Sequence, residues 1–105
     1  MHESEDYSFE LQDHFFNWDK NKNLSNIQKH GISFKEAAGV FLDARATLIA
    51  DEEHSQDEDR YIVIGISGKL KLLMVCHCYK NEGETIRIIS ARKATREEEN
   101  IYENA

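Results

Sequence analysis

Apolar positions divide the chain into a helical first half and an extended second half. Phe15, Phe16 and Trp18 suggest a short strand ending at Asp19, whose carboxylate suits the cap of a helix running to His30 and stopping at Gly31. Leu24 and Ile27 give that helix a thin inner face. Ser33-Phe34-Lys35-Glu36 is a capping box, in which the serine hydroxyl and the glutamate satisfy each other's free backbone donors, so a second helix starts there. Phe34, Ala37, Ala38, Phe41 and Leu42 recur at helical spacing and predict one buried stripe ending near Asp43.

Residues 46–50 read as a strand, and an acidic loop follows from Asp51 to Asp59. Beyond it, residues 60–66, 70–79 and 85–91 are rich in Ile, Val, Leu and Tyr. Ser67-Gly68 and Asn81-Glu82-Gly83 separate them, gaps short enough for antiparallel hairpins. Thr95 to Glu98 repeats the capping box and opens a C-terminal helix whose first turn is acidic. Residues 1–13 are polar and acidic with no clear periodicity, which predicts a flexible acidic tail outside a single domain of residues 14–105. The expected fold is α+β: an antiparallel sheet with two N-terminal helices and one C-terminal helix packed on it.

A length of 105 residues with 40% hydrophobic content suits one modest core. No apolar run approaches the roughly 18 residues of a membrane span, and the N-terminus lacks the basic and apolar regions of a secretory signal. A cytoplasmic protein without a membrane partner is expected. Cys76 and Cys78 share one face of a strand, poorly placed to bridge each other. With His77 they form a weak metal motif, since a closed zinc site needs about four ligands; buried apolar thiols are the better reading, and no metal is expected.

The net charge of −7 opposes RNA binding until its distribution is considered. Acid collects in residues 1–13, 51–59 and 97–105, whereas residues 60–96 carry eight Lys or Arg against Glu82 and Glu84 alone. That segment offers either a phosphate-binding field or solvated strand edges, and composition leaves both open.

Metal-independent RNA cleavage needs a base for the ribose 2′-hydroxyl, an acid for the leaving oxygen and fixed cations for the phosphorane. Val75, His77 and Tyr79 share one strand face; His77 titrates near neutrality and Tyr79 can stack on a base, unless His77 is a core histidine with satisfied nitrogens. Lys80 directly follows that strand. Arg87, Arg92 and Lys93 lie on and just beyond the next strand, where guanidinium forks suit phosphate or, alternatively, pair with local carboxylates. Glu58 and Arg60 stand at the loop's exit, as base and phosphate clamp or as a surface salt bridge. His54 among Asp51, Glu52, Glu53, Asp57 and Asp59 fits no recognised calcium loop and reads as solvated. Trp18 reads as a core or interface anchor.

Asp19, Lys22, Asn26, Lys29, His30, Gly31, Ser33, Phe34, Glu36 and Ala37 form one motif, and Ile86 through Ala94 form a second. Together with the intervening series Asp51, His54, Glu58, Arg60 and Gly65, these resemble the BrnT toxin family over about residues 15 to 102. The closing nine-residue run is the most specific part. The resemblance implies a RelE-like fold, metal-independent RNA cleavage without a cofactor and growth arrest through blocked translation. It also implies a partner, a BrnA-like antitoxin with a ribbon-helix-helix region, through which alone the complex would meet operator DNA. Carried onto this sequence, it marks Glu58, Arg60, His77, Arg87, Arg92 and Lys93 as functional positions, the first five as catalytic candidates and Lys93 as an RNA contact; Tyr79 and Lys80, beside them on the basic segment, are further candidate RNA contacts. One departure is that Asp43 is followed by Ala44 rather than by proline, which loosens that turn. The acidic tail of residues 1–13 is another; it reads as flexible in preference to a mimic of RNA folded over the basic strands. The same basic strands also suit a module that binds RNA or protein without cleaving, or a degenerate toxin acting only as co-repressor with its antitoxin.

Overall fold

The computed structural model describes residues 5–105. Two strands, β1 (Asp6–Leu11) and β2 (His14–Asp19), open the chain and lead into helices α1 (Lys20–His30) and α2 (Phe34–Ala38). β3 (Thr47–Ala50), β4 (Tyr61–Ile66), β5 (Leu72–Lys80) and β6 (Thr85–Lys93) follow, and α3 (Arg96–Glu103) closes the fold. The six strands form one sheet in the order β1-β2-β6-β5-β4-β3.

Two expectations are corrected here. Residues 6–11, assigned above to a flexible tail, are a strand paired antiparallel with β2 through a two-residue turn. Gln12 and Asp13 both take positive φ, the conformation that such a tight turn requires. Tyr7, Phe9 and Leu11 alternate with Asp6, Ser8 and Glu10, so the strand presents an apolar side that packs on the core despite its acidity. The sheet is also mixed rather than antiparallel, because β2 runs parallel to β6. The two helices and the β3–β5 meander form the long crossover that parallel neighbours need.

Asp19 caps α1 by accepting from the Asn21 and Lys22 amides, and Gly31 ends it at φ 72°. The expected inner face of α1 is wrong: Leu24 is 59% exposed, Ile27 is exposed as well, and the buried residue is Asn26. Its amide nitrogen donates to Ile32 O at 2.9 Å and Ala91 O at 2.8 Å, while its oxygen accepts from the Ala91 amide at 3.1 Å. A polar side chain thus replaces the missing apolar stripe and ties α1 to β6.

The principal core lies between the helices and one sheet face, around Phe16, Trp18, Phe34, Val63, Leu73, Val75, Ile88 and Ala91. Trp18 is the core anchor expected of it. At Gly65 a Cβ would lie 2.8 Å from Val40 Cγ1, so glycine lets β4 approach the helical turn Gly39–Leu42 that follows α2. Asp43 replaces the rigidity of the absent proline by accepting from the Arg45 amide (3.0 Å), the Ile66 amide (2.9 Å) and the Tyr102 hydroxyl (2.7 Å). The last of these fastens α3 to the turn at Asp43, which the Ile66 amide in turn ties to the end of β4. No described helix is long and apolar enough to cross a membrane.

Candidate functional site

Residues that pair across a ladder share a sheet face, so the register sorts the candidate residues directly. Arg87 pairs with Cys78 and Asn17, and Arg92 pairs with Met74, on the face opposite the main core. In a regular strand these two arginines, five residues apart, would point to opposite sides. They share one face because β6 carries a bulge: Ser90 pairs with Cys76 and Ile88 with His77, leaving Ile89 without an opposite number. Glu58, Lys80 and Arg60 join the same face. Lys80 donates to Glu58 Oε2 at 2.7 Å, and Arg60 Nε lies 3.9 Å from Glu58 Oε1.

The sheet therefore collects Glu58, Arg60, Lys80, Arg87 and Arg92, and it separates off the other three candidates. His77 has no exposed surface. Its ring packs edge-on against Phe41 at 4.8 Å, with Nδ1 3.2 Å from Val75 O and Nε2 3.3 Å from the Tyr79 hydroxyl. Burial pushes its pKa down to about 4, so it stays neutral at physiological pH. The expectation of a catalytic His77 is corrected on this ground: it is a core residue that cannot touch a substrate. Tyr79 and Lys93 pair with Ile86 and Leu73 and belong to the same side as His77, away from the arginines.

Carboxylates accept hydrogen bonds from Lys80, Arg87 and Arg92 on the open face. Asp6 Oδ1 and Oδ2 accept from Arg87 at 3.0 and 3.2 Å, and Glu98 accepts from Arg92 at 2.8 and 3.0 Å. Hydrogen bonding from Arg87 holds the Asp6 carboxyl below its ordinary range, and Lys80 does the same for Glu58. Burial works against ionised Glu98, but the Arg92 fork and the Thr95 amide more than offset it. Arg60 is the exception. Its Nε is shielded from solvent and has no hydrogen-bond partner among the described residues.

Arg60 lies between two adjoining clefts. One, of about 310 Å³, is lined by Arg60, Arg92, Ser90, Cys76, Asp51 and His54; the other, of about 500 Å³, by Arg60, Glu58, Asp57 and His54. His54, read from sequence as a solvated loop residue, is thus the histidine that shares Arg60's surroundings. A single helical turn over Glu52–His54 brings its Nδ1 to 3.0 Å from Asp51 Oδ2, and 61% of its side chain stays exposed. The Asp-x-x-His spacing just before Arg60 was the available signal, masked by the surrounding acids. A larger groove of about 750 Å³, lined by Phe9, Leu11, Leu42 and Ile66, includes none of the arginines.

Residues 18–98 match a family model described as the ribonuclease toxin BrnT of type II toxin-antitoxin systems. Among solved structures, the fold is similar to the Brucella abortus ribonuclease toxin BrnT, with a TM-score of 0.58 and 25% identity. That similarity covers 75% of this chain and 94% of the other. No curated protein matches the chain.

Proposed function

The chain belongs to the BrnT family of ribonuclease toxins of type II toxin-antitoxin systems, and we propose that it cleaves RNA without a metal ion in the cleft that Arg60 shares with Arg92 and His54. The observation that carries this reading is the placement of an oriented, solvent-facing histidine in the same cleft as a guanidinium whose Nε has no hydrogen bond among the described residues.

Asp51 accepts the Nδ1 proton of His54, which leaves Nε2 of the neutral ring as the proton acceptor. His54 Nε2 takes the 2′-hydroxyl proton, O2′ bonds to phosphorus, and the 5′-oxygen departs with a proton drawn from solvent at the open cleft. The products are a 2′,3′-cyclic phosphate and a 5′-hydroxyl end. Arg60 and Arg92 face the charge that develops on the equatorial oxygens, where fixed cations act most strongly. Glu58, kept ionised by Lys80, is a weak base at neutral pH and instead anchors Lys80 and steadies Arg60. Lys80 and Arg87 extend the same face toward neighbouring phosphates.

In the cell, this activity arrests growth by blocking translation. A BrnA-type antitoxin with a ribbon-helix-helix region neutralises it and carries the pair to operator DNA, in the cytoplasm. The test is RNA cleavage by purified, antitoxin-free protein in excess EDTA. Cleavage should persist in EDTA and fall by roughly a hundredfold or more in R60A and in H54A. Intact RNA in EDTA, with activity restored by a divalent cation, would overturn metal independence. Intact RNA under both conditions, despite tight RNA binding, would favour a non-cleaving module or co-repressor.

A further inference from the structure

The RNA-cleaving reading makes no use of Asp6, yet this acid holds one of the face's cations. β1 and all but the last two residues of β2 lie outside the segment that matches the family model. The hairpin nevertheless fixes Asp6 beside Arg87: β1 is in full register with β2, and the Lys20 amide donates to Glu5 O at 2.8 Å just beyond Asp6.

The contact has the form of phosphate recognition. Two N–H groups of one guanidinium meet two oxygens of one anion, at 3.0 and 3.2 Å, and Nη1 also donates to Asn17 Oδ1 at 3.2 Å. A phosphodiester presents two non-bridging oxygens to such a fork in the same way. Arg87 is fixed by Asn17 on the adjacent strand, so the subsite keeps its shape when the acid leaves. The Asp6 side chain is about half exposed, so the pair with Arg87 is open to solvent, and its carboxylate takes no part in the β1 ladder.

Building on the RNA-cleaving reading, we propose that Arg87 and Asn17 form a phosphodiester subsite of the RNA face, and that Asp6 fills it in the free chain as a built-in competitor that RNA must displace.

The physical consequence is specific. In either chain, Arg87 neutralises a phosphate and the RNA sheds a condensed cation. In the unaltered chain the displaced Asp6 carboxylate, left among the phosphates, takes a cation back and offsets that release, an uptake that a neutral side chain at this position does not make. Asp6→Asn should therefore tighten RNA binding by about fivefold at low salt. It should also steepen the log–log salt dependence by about 0.7, the share of one single-stranded phosphate contact.

The experiment is fluorescence anisotropy with a short single-stranded RNA made uncleavable by 2′-O-methyl groups, run across a salt series. It compares the full-length chain, D6N, R87A and D6N/R87A. E10Q, on the same strand and sheet face, removes one negative charge without touching Arg87 and controls for net charge. The proposal expects the gain in D6N alone and its disappearance in the R87A background. An equal gain in E10Q, or a gain that survives R87A, would overturn it, as would identical binding by D6N and the unaltered chain. Those results leave RNA cleavage by the unaltered chain intact, so the function would stand without the competitor. If neither chain binds or cleaves RNA, both the competitor and the functional reading fall.

Discussion

At the scale of single residues, the largest revision concerns the histidines. His77 occupies a strand position that suits catalysis on paper, but the ring is enclosed by Phe41, Tyr61 and Tyr79. Enclosure has a measurable signature. The folded pKa is about 4, below the ordinary 6.5, so unfolding takes up a proton at any pH between these values. The stabilisation from keeping His77 neutral is complete above pH 6.5 and is lost as pH falls toward 4, amounting to about 3 kcal/mol over the whole interval. Urea melts across this range should show that loss, and H77F, which keeps an aromatic ring in place, should flatten it. A further acid limb below the usual carboxylate range should remain, since Asp6, Asp43, Glu58 and Glu98 are all held ionised by folded-state partners. An unchanged slope in H77F would mean that other groups carry the titration. The apolar strand around His77 and the acids around His54 already point to different burial; the fold makes the contrast complete because β5 is a central strand of the sheet and the loop before β4 is at its margin.

At the scale of elements, legibility followed the strength of local signals. The caps at Asp19, Ser33 and Thr95, and the stop at Gly31, appear where the sequence places them because capping is settled by residues within one turn. β1 escaped notice because its turn is Gln12-Asp13 rather than a glycine turn, and because acid at alternate positions obscured Tyr7, Phe9 and Leu11. The β6 bulge left no local mark at all, yet it decides that Arg87 and Arg92 serve one face. The bulge adjoins Ala91, whose amide and carbonyl both bond to Asn26 on α1. N26A should therefore cost about 3 kcal/mol, since it strands buried backbone groups of β6 and of the loop at Ile32. Chemical denaturation measures this directly. A loss under about 1 kcal/mol would show that water replaces the asparagine amide and that the α1–β6 tie is dispensable.

At the scale of the whole molecule, charge totals and charge placement act over different distances. The segment totals identify the basic stretch at residues 60–96, but not that Asp6 and Glu98, from opposite ends of the chain, meet its arginines. An approaching RNA therefore meets a body of net charge −7 whose smaller dimensions are 27 Å and whose cations are locally paired. At an ionic strength of about 0.01 M the screening length is roughly 30 Å, so the RNA feels the full negative total and is repelled. Near 0.15 M it shrinks to about 8 Å, and only Arg60, Lys80, Arg87, Arg92 and their partners act at contact. The association rate should consequently rise with salt across this range, while dissociation quickens because the contacts themselves weaken. Stopped-flow anisotropy separates the two rates. An association rate that falls steadily with salt would mean that the basic face steers RNA from a distance despite the total charge, and that the carboxylate partners screen it less than their geometry implies.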